Sequence, residues 1–396
     1  MSMSQYDRWL LPEGIQDVLP HEARRLEDLR REFLDLFGLW GYELVMPPFV
    51  EYLESLLVGT GHDLDLQTFK LTDQLSGRTL GVRADMTPQV ARIDAHDLQR
   101  DEPTRLCYLG TVLHALNDPL ERSRSPLQVG AELYGHAGIE SDLEIVQLML
   151  ETLALAGIQG VCVDFGHVGI FRGLAQQAGF DPTREAMVFE VLQRKANVEL
   201  DELLDDWKVN GAVREMLATL PRLNGNESVI DRAREVLAGA GPDVLQAVDY
   251  LEDMSQQLRT FFPGLSMNFD LGELRGYHYQ TGVVFAAFVP GYGREVARGG
   301  RYDEIGKVFG RARPATGFSA DVKVLASLNQ EAVDPTDDGI FAPAGADIAL
   351  EERIRDLRVS GRRVVRELPG QSGGAGEMKC GYRLVKEKDA WVVVPA

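Results

Sequence analysis

Basic residues are the first thing this sequence has too few of. It contains 41 lysines and arginines against 61 aspartates and glutamates, which gives a formal net charge of −20 over 396 residues. Proteins bind nucleic acids through clusters of Lys and Arg that displace counterions from the phosphates. The basic clusters of this chain are short and lie at residues 311–313 and 362–366. The composition therefore argues against a nucleic-acid partner.

Cysteines and long apolar runs are also scarce. The three cysteines, Cys107, Cys162 and Cys380, lie far apart, without the spacing of a zinc site, and indicate reduced thiols in a cytosolic protein. Apolar runs such as residues 161–163 are much too short to cross a bilayer. The first residues lack a basic segment followed by an apolar one, so no signal peptide is expected. We expect a cytoplasmic protein of two or three domains that holds no metal.

A helix and a hairpin are the clearest structural predictions. From His21 to Trp40 apolar residues recur every three or four positions, which predicts an amphipathic helix that ends at Gly41. From Leu106 to Gly135 the pattern predicts a strand, a long turn and a second strand. Alternation in the second strand places Gln128 and Glu132 on one face, opposite its apolar side chains. The pattern alone favours a solvated sheet face over the floor of a polar pocket.

The segment Asp85-Met86-Thr87-Pro88 follows a predicted strand and begins a predicted helix. Thr87 is a suitable N-cap, with Pro88 at the first helical position. By itself this pattern favours a helix cap over a ligand site.

Beyond the hairpin, residues 171–262 are predicted to be helical, with breaks at glycine-rich positions such as 179–182 and 239–242. After about residue 330 a short α/β segment is predicted, with a helix to about Arg358 and strands at 362–366 and 390–394. Its glycine-rich stretch, residues 370–376, lacks the Gly-Lys-Ser/Thr ending of a phosphate-binding loop and indicates a linker.

The hairpin resembles motif 2 of class II aminoacyl-tRNA synthetases, in the form found in histidyl-tRNA synthetases. That form has Gly-Arg-x-Arg in the turn and Gln-x-Gly-x-Glu on the second strand. Arg122, Arg124, Gln128, Gly130 and Glu132 occupy the matching positions. The helix at the start of the chain and the strand after it resemble motif 1, which forms the dimer interface in class II enzymes.

Positions 114, 116 and 324, which handle ATP in the synthetases, depart from the pattern. Leu113-His114-Ala115-Leu116 stands in place of Phe-Arg-x-Glu, and an imidazole does not reproduce a permanently charged guanidinium fork. Val324 occupies the position of the motif 3 arginine, and Asp321 puts a negative charge where a phosphate would lie. The resemblance therefore predicts that the pocket is kept and that adenylation is lost.

The same resemblance implies a histidine site. Residues 274–285 resemble the histidine-specific Arg-Gly-Leu-Asp-Tyr-Tyr motif, with Gln280 in place of the second tyrosine, and Ala286 stands where a glutamate is usual. Histidyl-tRNA synthetases have Arg-Pro-Glu-x-Thr where this chain has residues 83–87, and there the glutamate and the threonine hold the ammonium group of bound histidine. The arginine of the histidine-specific motif faces the carboxylate of the histidine. By position, the implied site comprises Asp85, Thr87, Gln128, Glu132, Arg275, Tyr279 and Gln280. No catalytic residue, cofactor or metal is implied.

Among relatives of these synthetases, the combination resembles the regulatory subunits of ATP phosphoribosyltransferase. That resemblance implies a non-catalytic partner of a short-form catalytic subunit, which makes phosphoribosyl-ATP in the first step of histidine biosynthesis. It also implies histidine feedback, homodimers within a hetero-octamer, and no tRNA or membrane partner. The implied fold is α+β: a six-stranded antiparallel class II sheet flanked by helices in residues 1–330, a helical insertion at about 171–262, and a reduced α/β segment at 331–396.

Two other hypotheses compete with this one. An atypical histidyl-tRNA synthetase would need ATP chemistry without the side chains lost at His114, Leu116 and Val324. A module that senses uncharged tRNA is disfavoured by the negative charge and by the short segment after motif 3.

Overall fold

The structure is a computed structural model that describes residues 9–57, 62–116, 123–274, 276–277, 279–329 and 339–396. The chain divides into two compact units, Met1–Asn329 and Gln330–Ala396. Within the described part of the chain, no helix has the length and apolar character needed to span a membrane.

The first unit combines twelve described α-helices with two sheets. Its helices are α1 (Pro20–Leu39), α2 (Leu53–Leu57), α3 (His62–Gln67), α4 (Thr87–Arg92), α5 (Ile139–Leu155), α6 (Val168–Gln177), α7 (Pro182–Gln193), α8 (Asn197–Asp206), α9 (Ala212–Thr219), α10 (Ser228–Val236), α11 (Pro242–Phe261) and α12 (Val322–Leu328). Its strands are β1 (Glu43–Leu44), β2 (Val50–Tyr52), β3 (Phe69–Thr72), β4 (Thr79–Val82), β5 (Thr104–Thr111), β6 (Leu127–Tyr134), β7 (Cys162–His167), β8 (Asn224–Gly225), β9 (Ser266–Asp270), β10 (Val283–Phe288), β11 (Glu295–Arg301) and β12 (Ala315–Asp321).

Six antiparallel strands form the centre of the large sheet, in the order β5-β6-β12-β11-β10-β7. The predicted α+β class and the six-stranded antiparallel sheet are confirmed for this centre. The complete sheet has nine strands, because β1 pairs in parallel with β5 at one edge, and β9 and then β8 extend the other edge. The prediction of six strands left these three edge strands out of the sheet, although a strand was predicted directly after the first helix, where β1 lies. Strand β8 has only two residues, too few for a period to show.

The predicted first helix is confirmed as α1. Its buried residues Leu26, Leu29, Phe33 and Phe37 repeat at a spacing of three or four and pack on the sheet and on α5. The helix starts at Pro20, and the chain turns away at Gly41, whose φ of 81° is a conformation that glycine adopts without strain.

The two faces of the central sheet carry different side chains. Val129, Ala131 and Leu133 of β6 lie in the main core with α1 and α5. Gln128 and Glu132 lie on the opposite face, as the alternation predicts. The helical insertion is also confirmed: α6 to α11 follow one another between β7 and β9, interrupted at glycines such as Gly179 and Gly211, both with positive φ.

The second unit has its own sheet and core. It contains β13 (Ile340–Ala342), α13 (Ile348–Val359), β14 (Val364–Arg366), β15 (Tyr382–Glu387) and β16 (Ala390–Pro395), with strand order β14-β13-β15-β16. Apolar residues of α13, among them Leu350 and Ile354, pack on the strands. The predicted helix and the strands near 364 and 390 are confirmed, while β13 and β15 were not singled out by the sequence.

Candidate functional site

A cavity of about 420 Å³ opens on the polar face of the central sheet in the first unit. The start of α4, the strands β6, β10, β11 and β12, and the loop before β10 supply its walls, and α7 of the helical insertion contributes Phe189 and Gln193. Five residues of the predicted site line it: Asp85, Thr87, Glu132, Tyr279 and Gln280. The tertiary structure thus brings together residues that lie almost 200 positions apart in the chain.

Glu132 is the most buried acid of this cavity, with 1% of its surface exposed. Tyr108 Oη donates to Glu132 Oε1 over 2.9 Å, Thr87 Oγ1 donates to the same oxygen over 3.1 Å, and Tyr302 Oη donates to Oε2. Burial raises the pKa of Glu132 to about 8, although the three hydroxyl donors favour its charged form.

Glycine at position 317 makes room for this carboxylate. Gly317 of β12 pairs with Glu132 in the sheet, and a Cβ atom at this position would lie on Glu132 Oε2. Tyr302 lies in the segment Gly299-Gly300-Arg301-Tyr302-Asp303 and was not predicted as part of the site. Tyr108 was not predicted as a site residue either, and it shares the face of Glu132 because it pairs with Gly130, two residues from Glu132 on the next strand.

Asp85 is held by two hydrogen bonds to one of its oxygens. Gln128 Nε2 donates to Asp85 Oδ1 over 2.8 Å, and the backbone N–H of Thr87 donates to the same oxygen over 3.0 Å. Gln128 Oε1 in turn accepts from the backbone N–H of Met86 over 2.9 Å. Gln128 therefore orients the acid and acts in the site through Asp85.

The prediction that Thr87 caps α4 is wrong. Thr87 is the first residue of the helix, Met86 occupies the N-cap position without a side-chain cap, and the acceptor for the N–H of Thr87 is Asp85. The Thr87 hydroxyl bonds with Tyr108 and Glu132 instead. A short sequence pattern cannot distinguish these outcomes, because the competing partners come from β5 and β6.

Gln280 brings an unpaired acceptor to the cavity. The residue is 5% exposed, and its Oε1 has no hydrogen-bond partner among the described residues. Gly300 lets the amide approach β11, because a Cβ there would lie 2.8 Å from Oε1. Arg172 of α6 donates to the backbone carbonyls of Tyr277 and Gln280, over 3.3 and 3.2 Å, and so fixes this loop. A buried acceptor without a donor is a place where a ligand N–H would bind favourably.

Other predicted residues have different outcomes. Tyr279 lines the cavity and keeps 38% of its surface exposed. Arg275, the predicted carboxylate anchor, lies outside the described residues, as does Arg122 of the turn. Arg124 is structural: its guanidinium donates to the backbone carbonyls of His114 and Ala115.

The cavity is rich in acids that the sequence did not single out. Asp164 of β7 and Glu273 join Asp85 and Glu132 in its lining. Arg298 of β11 is the single arginine or lysine among the described residues that line the cavity. Alternation in β11 puts Arg298 and Gly300 on one face of the sheet. The sequence did not indicate that this face borders the cavity.

The positions that handle ATP in the synthetases have structural contacts here. His114 Nε2 donates to the backbone carbonyl of Ala84 over 3.1 Å, and Val324 of α12 packs against the main core. Asp321 caps α12 by accepting from the N–H of Lys323, and Lys323 Nζ donates to the backbone carbonyl of Ser125 over 2.6 Å. None of these contacts leaves a cation arranged for a triphosphate at His114 or Val324.

Comparison with known proteins places the chain in a family. Residues 14–325 match a family model described as histidyl-tRNA synthetase, and residues 337–394 match the ATP phosphoribosyltransferase subunit HisZ C-terminal domain. An ATP phosphoribosyltransferase regulatory subunit of Alkalilimnicola ehrlichii is 57% identical over 100% of this chain and 99% of its own length. The chain belongs to the family of ATP phosphoribosyltransferase regulatory subunits.

Solved structures agree with this membership. A protein of Bacillus halodurans, titled as an ATP phosphoribosyltransferase regulatory subunit/histidyl-tRNA synthetase, superposes with a TM-score of 0.83 at 28% identity and covers 94% of this chain and 96% of its own. Histidyl-tRNA synthetase from a Nostoc species superposes with a TM-score of 0.78 at 17% identity over 98% and 97% of the two chains, which shows a shared fold. The predicted role in this family, regulatory and not itself catalytic, is confirmed, and the synthetases are structural relatives.

Proposed function

We propose that this chain binds free histidine in the cavity of its first unit and conveys that binding to the catalytic subunit of a short-form ATP phosphoribosyltransferase. In this proposal the synthetase-like domain, residues 1–330, holds the amino acid, and the complex makes phosphoribosyl-ATP in the cytoplasm. The chain forms homodimers within a hetero-octamer, and no tRNA takes part. Feedback arises when the complex has two states and histidine binds one of them more tightly.

One observation carries the proposal: a cavity equipped for an amino acid but not for ATP. The carboxyl groups of Asp85 and Glu132 line it, and Gln280 offers a buried acceptor. At the positions that handle ATP in the synthetases, His114 bonds to the backbone carbonyl of Ala84 and Val324 packs against the main core. A site of this kind can bind an amino acid without activating it.

Each part of histidine has a matching group in this arrangement. Its ammonium group is positive and suits Asp85, whose two internal hydrogen bonds both end on Oδ1. An imidazole N–H can donate to Gln280 Oε1. By resemblance Arg275 faces the carboxylate. The chain's net charge of −20 supports the absence of tRNA, since a polyanion would meet an acidic surface.

Co-expression with the candidate catalytic subunit tests the partnership, and a histidine titration of the complex tests the feedback. Native mass measurement should give one hetero-oligomer, and phosphoribosyl-ATP formation should be higher with this chain than without it and fall as histidine is added. Arg275→Ala should leave the mass unchanged and weaken the inhibition by about 5- to 150-fold, the range of a typical coupling energy. Identical inhibition curves for the parent and Arg275→Ala complexes would place the regulatory histidine at another site.

A further inference from the structure

We infer that Tyr277 is a positioning residue that joins the site loop, the described residues 276–277 and 279–282, to the helical insertion, and that the insertion thereby holds the histidine site in its binding geometry. This inference rests on the proposed function, because it concerns how the same cavity keeps its shape. The synthetase motif Arg-Gly-Leu-Asp-Tyr-Tyr has leucine at the corresponding position, and Tyr277 is absent from the predicted site.

The ring of Tyr277 lies against two helices of the insertion. Phe189 of α7 stacks on it with ring centroids 5.1 Å apart and an interplanar angle of 29°, and Phe171 of α6 lies at 5.4 Å. The guanidinium of Arg172, also of α6, lies over the same ring, 5.0 Å from its centroid. A leucine at this position would offer neither an aromatic face for stacking nor a partner for the cation.

The hydroxyl of Tyr277 makes a second link to α7. Tyr277 Oη donates to Glu185 Oε1 in the first turn of that helix. Burial, and then the neighbouring carboxylate, raise the pKa of Tyr277, so the hydroxyl keeps its proton and remains a donor. Glu185 and Phe189 lie four residues apart and therefore share one face of α7. One side chain of the site loop thus holds this face through a charged hydrogen bond and a ring contact.

The site loop is compact, so the position of Tyr277 affects that of Gln280. Gly276, with a φ of 66°, reverses the chain, and its carbonyl accepts from the backbone N–H groups of Tyr279 and Gln280 over 2.9 and 2.8 Å. Arg172 donates to the backbone carbonyls of Tyr277 and Gln280. The buried acceptor Gln280 Oε1 is therefore oriented by contacts that end on the insertion.

The insertion is also part of the cavity wall. Phe189 and Gln193 of α7 line the cavity, and Phe189 is the residue that stacks on Tyr277. A ligand in the cavity therefore meets a wall that is complete only while α7 is docked on the site loop. Ligand binding and docking of α7 favour each other, and this coupling is reciprocal.

The test measures hydrogen exchange of the α7 amides in the full-length chain, with and without histidine, and calorimetry sets equal ligand occupancy. Tyr277→Leu introduces the synthetase residue, and Tyr277→Phe keeps the ring and removes the hydroxyl. Trp207→Leu is the matched control. Trp207 lies 5.5 Å from the ring of Phe180 and beneath the guanidinium of Arg184 at 5.2 Å, contacts that stay within the insertion. Unfolding temperatures check that each variant folds.

Histidine should slow the exchange of α7 amides in the parent. Tyr277→Leu should weaken histidine binding by about 5- to 150-fold, the range of a typical coupling energy, and at equal occupancy histidine should no longer slow exchange in α7. Tyr277→Phe should fall between Tyr277→Leu and the parent in both measurements. Trp207→Leu should speed exchange within the insertion, bind histidine with the affinity of the parent, and keep the slowing by histidine.

The outcomes separate this inference from the proposed function. If the parent binds histidine and Tyr277→Leu keeps both the affinity and the slowing, or Trp207→Leu loses as much of both as Tyr277→Leu does, the inference is wrong while the proposed function stands. If Tyr277→Leu does not fold, Tyr277→Phe decides, and parent values of both quantities in that variant overturn the inference. If the parent binds no histidine, the proposed function fails and the inference fails with it.

Discussion

Gln128 Nε2 donates a 2.8 Å hydrogen bond to Asp85 Oδ1, and this contact joins the second strand of the hairpin to the start of α4. The other end of the same amide accepts from the N–H of Met86, so the amide bridges an acid and the backbone beside it. The orientation of Asp85 thus depends on a residue 43 positions away. Ligand binding at Asp85 should consequently respond to changes at both residues.

Asp85→Asn should weaken histidine binding more than Gln128→Ala does. Removing one partner of a close charge pair typically costs about 2–5 kcal/mol, which is a factor of tens to thousands in affinity. Gln128→Ala keeps the charge and loses only its orientation, so we expect a loss of about tenfold. Calorimetry with histidine measures both, and Asp101→Asn is the control because its side chain is 97% exposed. Parent-like affinity in Asp85→Asn would exclude Asp85 as the ammonium partner.

Glu132→Gln should change how stability depends on pH. The pKa of Glu132 is raised from 4.5 to about 8 in the folded protein, so between these values the folded state holds a proton that the unfolded state releases. Folding is therefore favoured at low pH, and stability falls as the pH rises from about 4.5 through 8. The glutamine variant cannot ionise, and it should gain stability relative to the parent over this interval, by on the order of 3 to 5 kcal/mol at pH 8.5.

Urea unfolding of the ligand-free chain at pH 5, 7 and 8.5 measures this effect as the difference in the free energy of unfolding between Glu132→Gln and the parent. The difference should grow steadily with pH. A constant difference would mean that Glu132 ionises at its ordinary pKa in the folded protein.

Gly317→Ala should damage the site from the neighbouring strand. A methyl group at this position would meet Glu132 Oε2 and the backbone carbonyl of Ala131. We expect a loss of about 1–3 kcal/mol in the free energy of unfolding, as in other overpacked positions, and histidine binding below detection. Gly264→Ala is the control, since nothing lies within 4 Å of a Cβ there. Thermal unfolding and calorimetry follow both; a normal affinity in Gly317→Ala would show that Glu132 can move without consequence.

Histidine-dependent exchange of labelled pyrophosphate into ATP should stay at background for this chain. The reason lies in the contacts of His114 and Val324, which tie these positions to Ala84 and to the main core. A histidyl-tRNA synthetase in the same assay provides the positive control. Exchange above background that Asp85→Asn abolishes would show that the cavity still activates histidine.

The sequence by itself determined several helices and strands and which side chains share a face of each. The spacing of Leu26, Leu29 and Phe33 predicts α1, and the alternation in β6 places Gln128 and Glu132 on one face, because these local periods follow directly from backbone geometry. Family motifs carried in the sequence were sufficient to predict the fold class and the regulatory role.

Only the tertiary structure determined which residues those side chains contact. Tyr108, Thr87 and Tyr302 converge on Glu132 from three separate parts of the chain, and the burial of Glu132 among them raises its pKa although their hydroxyl groups favour the charged form. Cross-strand register placed Arg298 beside the cavity, and it is set by pairing between residues far apart in the chain. Periodicity describes each strand alone; which side chains become neighbours, and so which charges interact, depends on how the strands are ordered in the sheet.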